Sequence, residues 1–155
     1  MHFIAGDALD PSHLPIHPPT YADPSPTAES PLALQSLTSL APLRGRVSII
    51  YAASVFHLFT KEQQAHLASA MAGLLSPRSG SMIFGSHIAM KEEGTRTWPT
   101  FTMFCHSPQS WKELWDGGVF LAGQVLVHAT LKPVDFHIPG FEGPSDIMIW
   151  SVTRL

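Results

Sequence analysis

Residues 47–77 read VSIIYAASVFHLFTKEQQAHLASAMAGLLSP, and the change of period within them decides the fold. VSIIYAA (Val47–Ala53) is a β-branched run following Gly45 and opening into small residues, the pattern of a strand buried on both faces. Thr60 and Gln63 then stand at the spacing of a capping box, which opens a helix. Leu67, Ala68, Met71, Leu74 and Leu75 fall on one face of that helix, and Pro77 ends it. A strand that feeds a helix within so few residues is the first half of a strand–helix–strand unit.

Downstream the alternation continues. SMIFGS (Ser81–Ser86) is the next strand. Ser107-Pro108 is an N-cap with proline at the first helical position. Trp111, Leu114 and Trp115 form the inner face of that helix, and Gly117-Gly118 stops it. QVLVHATLK (Gln124–Lys132) and IMIWSVT (Ile147–Thr153) are the last two strands, joined by a loop rich in proline and glycine. Strand, helix, strand, helix and two strands predict an α/β domain with a mainly parallel sheet and an antiparallel carboxyl-terminal end.

Upstream the signals are weaker. Phe3–Ala5 reads as a short apolar strand ending in Gly6-Asp7. The leucines at 34, 37 and 40 have the spacing of a short amphipathic helix. Between them, residues 11–31 hold LPIHPPTYADPSPTAESP, where proline removes backbone donors and favours extended geometry. That segment is expected to be a Pro-rich surface loop within a single domain spanning residues 1–155.

Composition narrows the function classes. The 155 residues are 45% hydrophobic and 14% charged, enough to build a core. The formal charge of −3 and a pI near 6.3 give no basic field for nucleic acid or an anionic membrane. Gly117–Leu131 and Val47–Thr60, long stretches free of charge, both fall short of the roughly 20 residues that cross a bilayer. The amino terminus lacks a basic region and reaches Asp7 before an apolar stretch forms, so no signal peptide is expected and the expected location is cytoplasmic. One cysteine excludes an intrachain disulfide and a multi-cysteine zinc site. Of the nine histidines only His13 and His17 stand at a helical interval, and Pro15 lies between them. No metal is therefore expected. Cys105-His106 is a poor nucleophile–base pair, because neighbours on an extended segment point opposite ways. Glu92-Glu93, beside Lys91, reads as a solvated loop.

Two segments suit a ligand. Gly6-Asp7 places a carboxylate at the carboxyl end of the Phe3–Ala5 segment, where open α/β sheets bind ligands; capping its own loop is the alternative use of Asp7. Ala52, Ala53 and Ser54 are small enough for a flat ligand to lie against the backbone. His57 follows, either as a packed structural histidine or as a base.

FIAGDALDPSHL, the block from SLTSLAPLRGRVSIIYAASVFHLF through SMIFGSHI, MFCHSPQSWKELWD and IMIWSVTRL together resemble fungal class I adenosylmethionine-dependent methyltransferases of secondary metabolism, including those of meroterpenoid pathways. The resemblance covers most of the chain outside the proline-rich segment. It implies the carboxyl-terminal portion of a Rossmann-like fold, a small natural-product-like acceptor, and S-adenosyl-L-methionine as methyl donor. By this resemblance Asp7, after Gly6, would accept from the adenine amino group, with the Ala8 backbone beside the ring. Ala52, Ala53 and Ser54 would line the methionine part. The loop from His87 to His106 and the Trp111 helix would cover the acceptor, and His57 or His106 would take its proton. The family's first strand, glycine-rich turn and the acidic residue after its second strand have no counterpart here, which implies a partial domain. It also implies a bare edge on strand 47–53, a template for a second copy or for a chain carrying the other strands. A non-catalytic, methyltransferase-like binding subunit is the alternative function.

Overall fold

The computed structural model describes residues 2–22, 33–97, 101–134 and 145–155. Strand β1 (Ile49–Ala53) leads through a 3-10 turn at Phe56–Leu58 into helix α1 (Lys61–Leu74) and strand β2 (Met82–Ala89). A short hairpin, β3 (Gly94–Thr97) and β4 (Thr102–Cys105), precedes helix α2 (Pro108–Trp115). Strands β5 (Val125–Val134) and β6 (Ser145–Arg154) close the chain.

The helix boundaries follow the local chemistry. Thr60 accepts from the Gln63 amide and the Gln63 side chain accepts from the Thr60 amide, so the capping box satisfies two orphan donors of α1. Ser107 and Ser110 make the same reciprocal cap on α2, with Pro108 in its first turn. Past α2 the chain reverses at Gly117, whose φ is +96°. A Cβ on Gly118 would stand 2.4 Å from the Leu114 carbonyl oxygen, so only glycine fits this exit.

The main sheet has the order β1-β2-β6-β5. β1 pairs parallel with β2, while β6 pairs antiparallel with both β2 and β5. Three strands therefore share one direction and β6 opposes them. By direction the sheet is mainly parallel, as expected; by pairing it is mostly antiparallel, because the reversed strand sits between two of the others. The architecture is mixed α/β and consistent with a partial methyltransferase fold.

One face of the sheet carries Ala52, Ile83, Met148, Trp150 and Val152. These join Leu67, Ala68 and Leu74 of α1 and Trp111 and Trp115 of α2 in one buried cluster. Gly85 of β2 lies where a Cβ would fall 1.9 Å from the Ala52 carbonyl oxygen and 3.1 Å from the Trp150 ring. Strand contact and indole packing together require glycine there. Among the described residues no strand pairs with the outer edge of β1.

Four sequence expectations are corrected. Phe3–Ala5 forms no strand; Phe3 is 84% exposed, and among the described residues no strand pairs with this segment to reward an extended ladder. The helix expected at the 34/37/40 leucines is instead two 3-10 turns, Leu34–Ser36 and Ala41–Leu43, too short for an α-helix and the second holding Pro42. β1 starts at Ile49 rather than Val47, which makes an isolated bridge to Leu75. Within the stretch from His87 to His106, expected as a loop, His87 belongs to β2 and residues 94–105 contain the β3–β4 hairpin.

The described part of the proline-rich segment is fixed to the domain. Leu14 is buried, the His13 carbonyl accepts from the Leu40 amide, and the Thr20 carbonyl accepts from Arg154. Gly73 of α1 permits this passage, since a Cβ there would meet the His17 backbone oxygen at 2.8 Å. Residues 23–31 of the loop, His137 and most of the β5–β6 connection lie outside the described residues.

Candidate functional site

The carboxyl end of β1 is the first element of the site. Ala52 is buried and Ala53 half-buried. Ser54 is exposed with φ +56°, a left-handed conformation unusual for any residue but glycine. Its amide donates to the Ser86 carbonyl at 2.7 Å, so β2 holds the bend in place. This non-glycine backbone outlier lies at the end of a parallel strand pair, where α/β sheets collect ligands.

Beyond the bend lies a cluster of rings. Phe56 is wholly buried, edge-on to Trp111 at 4.8 Å and to Trp150 at 5.7 Å between centroids. His87, in β2, meets Trp111 at 4.6 Å and accepts a 2.9 Å hydrogen bond at Nδ1 from Trp150 Nε1. That bond fixes the neutral tautomer with the proton on Nε2. His87 Nε2, Trp111 Nε1 and Trp115 Nε1 are buried without a hydrogen-bond partner among the described residues. Burial, then the neighbouring His57 and His106, press the His87 pKa down to about 3, so the ring is neutral near pH 7.

The two candidate bases stand on opposite sides of solvent access. His57, in the turn after Ser54, is half-buried, and burial lowers its pKa. His106, after β4, is 3% exposed and packs edge-on to Phe104 at 5.0 Å and Trp111 at 5.3 Å. Its Nδ1 lies 2.9 Å from Ser110 Oγ and 3.9 Å from Glu93 Oε2. Burial drives the His106 pKa down to about 4, only partly opposed by the Glu93 carboxylate. Lys61 binds Glu93 through contacts of 3.0 and 3.1 Å. Lys61, Glu93, His106, Ser110 and Glu113 help line a recess of about 270 Å³.

Some of these residues carried no signal in the sequence. Glu93 lies in an exposed loop, as read, and from there pairs with Lys61 and comes within 3.9 Å of His106. His87 and Trp150 are brought together only by the β2–β6 register. Gln64, wholly buried, donates from Nε2 to the Phe59 and Phe104 carbonyls, joining α1 to the β1 turn and to β4. Glutamine at a helix position that the apolar pattern leaves polar was the available hint.

Gly6, Asp7 and Ala8 lie apart from this cluster. The face of Gly6 is filled by the His13 ring, 2.2 Å from where a Cβ would stand. Asp7 is exposed and its Oδ1 accepts from the Leu9 amide, so the carboxylate closes its own turn. Ala8 packs on the main core. Among the described residues no hydrogen bond, ion pair or ring contact joins this turn to Ala52–Ser54. The strand end and the Gly6–Ala8 turn are thus separate features, and the Asp7 carboxylate already accepts within its own turn. Among the described residues no group of three histidine, cysteine, aspartate or glutamate side chains is arranged to hold a metal, and no helix is long and apolar enough to cross a membrane.

The resemblance to fungal methyltransferases is borne out by two proteins. The chain is 32% identical over 78 residues to O-methyltransferase phiE of Fungal sp. (strain ATCC 74256), covering 49% of this chain and 26% of that protein. It is 30% identical over 76 residues to methyltransferase adrK of Penicillium roqueforti, covering 48% of this chain and 27% of that one. The matched part thus spans about a quarter of each relative. No family model matches the chain.

Proposed function

We propose that the chain serves in methyl transfer from S-adenosyl-L-methionine to a small natural-product-like acceptor. The similarity to two fungal methyltransferases supports this chemistry, and the left-handed bend at Ser54 is the observation that favours this location. In this reading Ala52, Ala53 and Ser54 abut the methionine end of the donor, Asp7 serves the adenine, and the wall formed by His57, the Trp111 helix and the recess beside His106 receives the acceptor. His57 is the better base of the two histidines, because its ring reaches solvent. His106, nearly enclosed and held to Ser110, orients the wall and has little basicity to offer near pH 7.

A second reading has its own observation. The His13 ring occupies the Gly6 face and Asp7 is spent on its own turn, which favours a methyltransferase-like binding subunit without activity alone.

Calorimetry with adenosylmethionine and adenosylhomocysteine separates the two. Micromolar binding that weakens in Asp7→Ala, with folding unchanged, supports the first reading. Binding that is indifferent to Asp7 defeats the adenine assignment. No binding at millimolar donor leaves the non-catalytic subunit.

A further inference from the structure

We propose that His13 is a built-in competitor at the Gly6–Ala8 turn: its imidazole occupies the place that the adenine of the methyl donor takes, and the donor binds by displacing it. This inference rests on the reading that Asp7 serves the adenine.

Glycine lets a flat group approach the backbone closely, because no Cβ stands in the way. At Gly6 that approach is already taken. Atoms Nδ1, Cε1 and Cγ of the His13 ring lie where a side chain on Gly6 would project. The next residue, Asp7, keeps its carboxylate at the surface, with Oδ1 accepting from the Leu9 amide. A purine laid on the Gly6 backbone beside that carboxylate would overlap the imidazole. One of the two rings has to leave.

Local turns bring the imidazole there. The Asp10 amide donates to the Asp7 carbonyl, and the His13 and Leu14 amides both donate to the Asp10 carbonyl. Asp10 Oδ1 accepts from the Ser12 amide, the side-chain closure that aspartate gives a turn. Residues 7–14 are thereby coiled so that His13 folds back over Gly6. The backbone at His13 is held from two sides, since Leu14 is buried and the His13 carbonyl accepts from the Leu40 amide. The ring itself is only half-buried, and a change of rotamer carries it off Gly6 while every one of those backbone bonds stays. The contact therefore lowers affinity without closing the turn for good. If the ring is off Gly6 about a tenth of the time, the donor binds about tenfold more weakly than to an open turn.

Calorimetry with adenosylhomocysteine tests this on the 155-residue chain, as wild type, His13→Ala, His13→Phe, Asp7→Ala and the double variant of His13→Ala with Asp7→Ala. His13→Ala is expected to bind about tenfold more tightly than wild type, with an unchanged circular dichroism spectrum. His13→Phe restores a flat ring of similar size and is expected to bind as weakly as wild type. The double variant is expected to lose the gain. Equal or weaker binding by His13→Ala overturns the proposal; if Asp7→Ala still weakens binding, the adenine reading stands without it. Tight binding by His13→Phe as well as His13→Ala overturns it too, because the ring is then not the obstacle. A gain that survives in the double variant, or no binding by any of these chains at millimolar ligand, removes the adenine reading and this inference with it.

Discussion

The two faces of the sheet are made by alternate residues of the same strands, yet they live in opposite surroundings. On β2, Ile83, Gly85, His87 and Ala89 are buried, while Met82, Phe84, Ser86 and Ile88 between them are only half-covered. On β6, Met148, Trp150 and Val152 are closed off and Ile149 is 46% exposed. Both helices lie on the first face. The difference teaches that pleat alone decides which residue of a neighbouring pair carries stability, even where both are equally apolar. It also sets apart β1, where Ile49 and Tyr51 are 62% and 69% exposed.

The largest effect expected from this contrast is at Trp111, buried among Phe56, His87, Trp115 and Trp150. Trp111→Ala should cost about 3–5 kcal/mol in urea unfolding, as truncation of a large buried aromatic does. A loss below 1 kcal/mol would show that the ring cluster is not the centre of the core.

Acid should attack the same face next. His87 and His106 are held below the ordinary histidine value, at about 3 and about 4, mainly by burial. Between pH 6.5 and those values the unfolded chain binds protons that the folded chain refuses. Stability from these rings is therefore fully present above about pH 6.5 and falls as the pH drops toward 4. For His87 alone the loss by pH 4 is of order 3 kcal/mol. Unfolding free energies at pH 7 and pH 4 should show the decline, and His87→Leu should flatten it. An equal slope in that variant would remove His87 from the cause.

Gly85→Ala comes third. Its methyl would meet the Ala52 carbonyl and the Trp150 ring, so strand or indole must move, at roughly 1–3 kcal/mol. A neutral Tm would mean that β1 yields freely against β2.

What could be read in the sequence was what local chemistry determines. The Thr60–Gln63 box, the Ser107-Pro108 start and the Trp111 and Trp115 face all depend on residues within a few positions, and each element appears where those residues place it. The strands were legible as runs, but the insertion of β6 between β2 and β5 was not, because pairing partners are chosen by distant packing. Phe3–Ala5 failed as a strand for the same reason: an apolar run needs a neighbour to become a ladder. At the candidate site, the small residues after a strand marked Ala52–Ser54 and His57 as candidates. The hydrogen bond from Trp150 to His87 crosses 63 positions and left no mark in either neighbourhood.

The smallest expected effect is the one that sharpens the contrast most. Leu126, 48% exposed on β5, and Ile149 on β6 point to the open face in the same sheet. Their neighbours in sequence, Val125 and Trp150, are 3% and 2% exposed. Leu126→Ser and Ile149→Ser remove apolar side chains that already keep much of their contact with water. Each should change stability by no more than about 0.5 kcal/mol, as surface substitutions do. A loss of 2 kcal/mol or more at both would mean that the face is covered in solution.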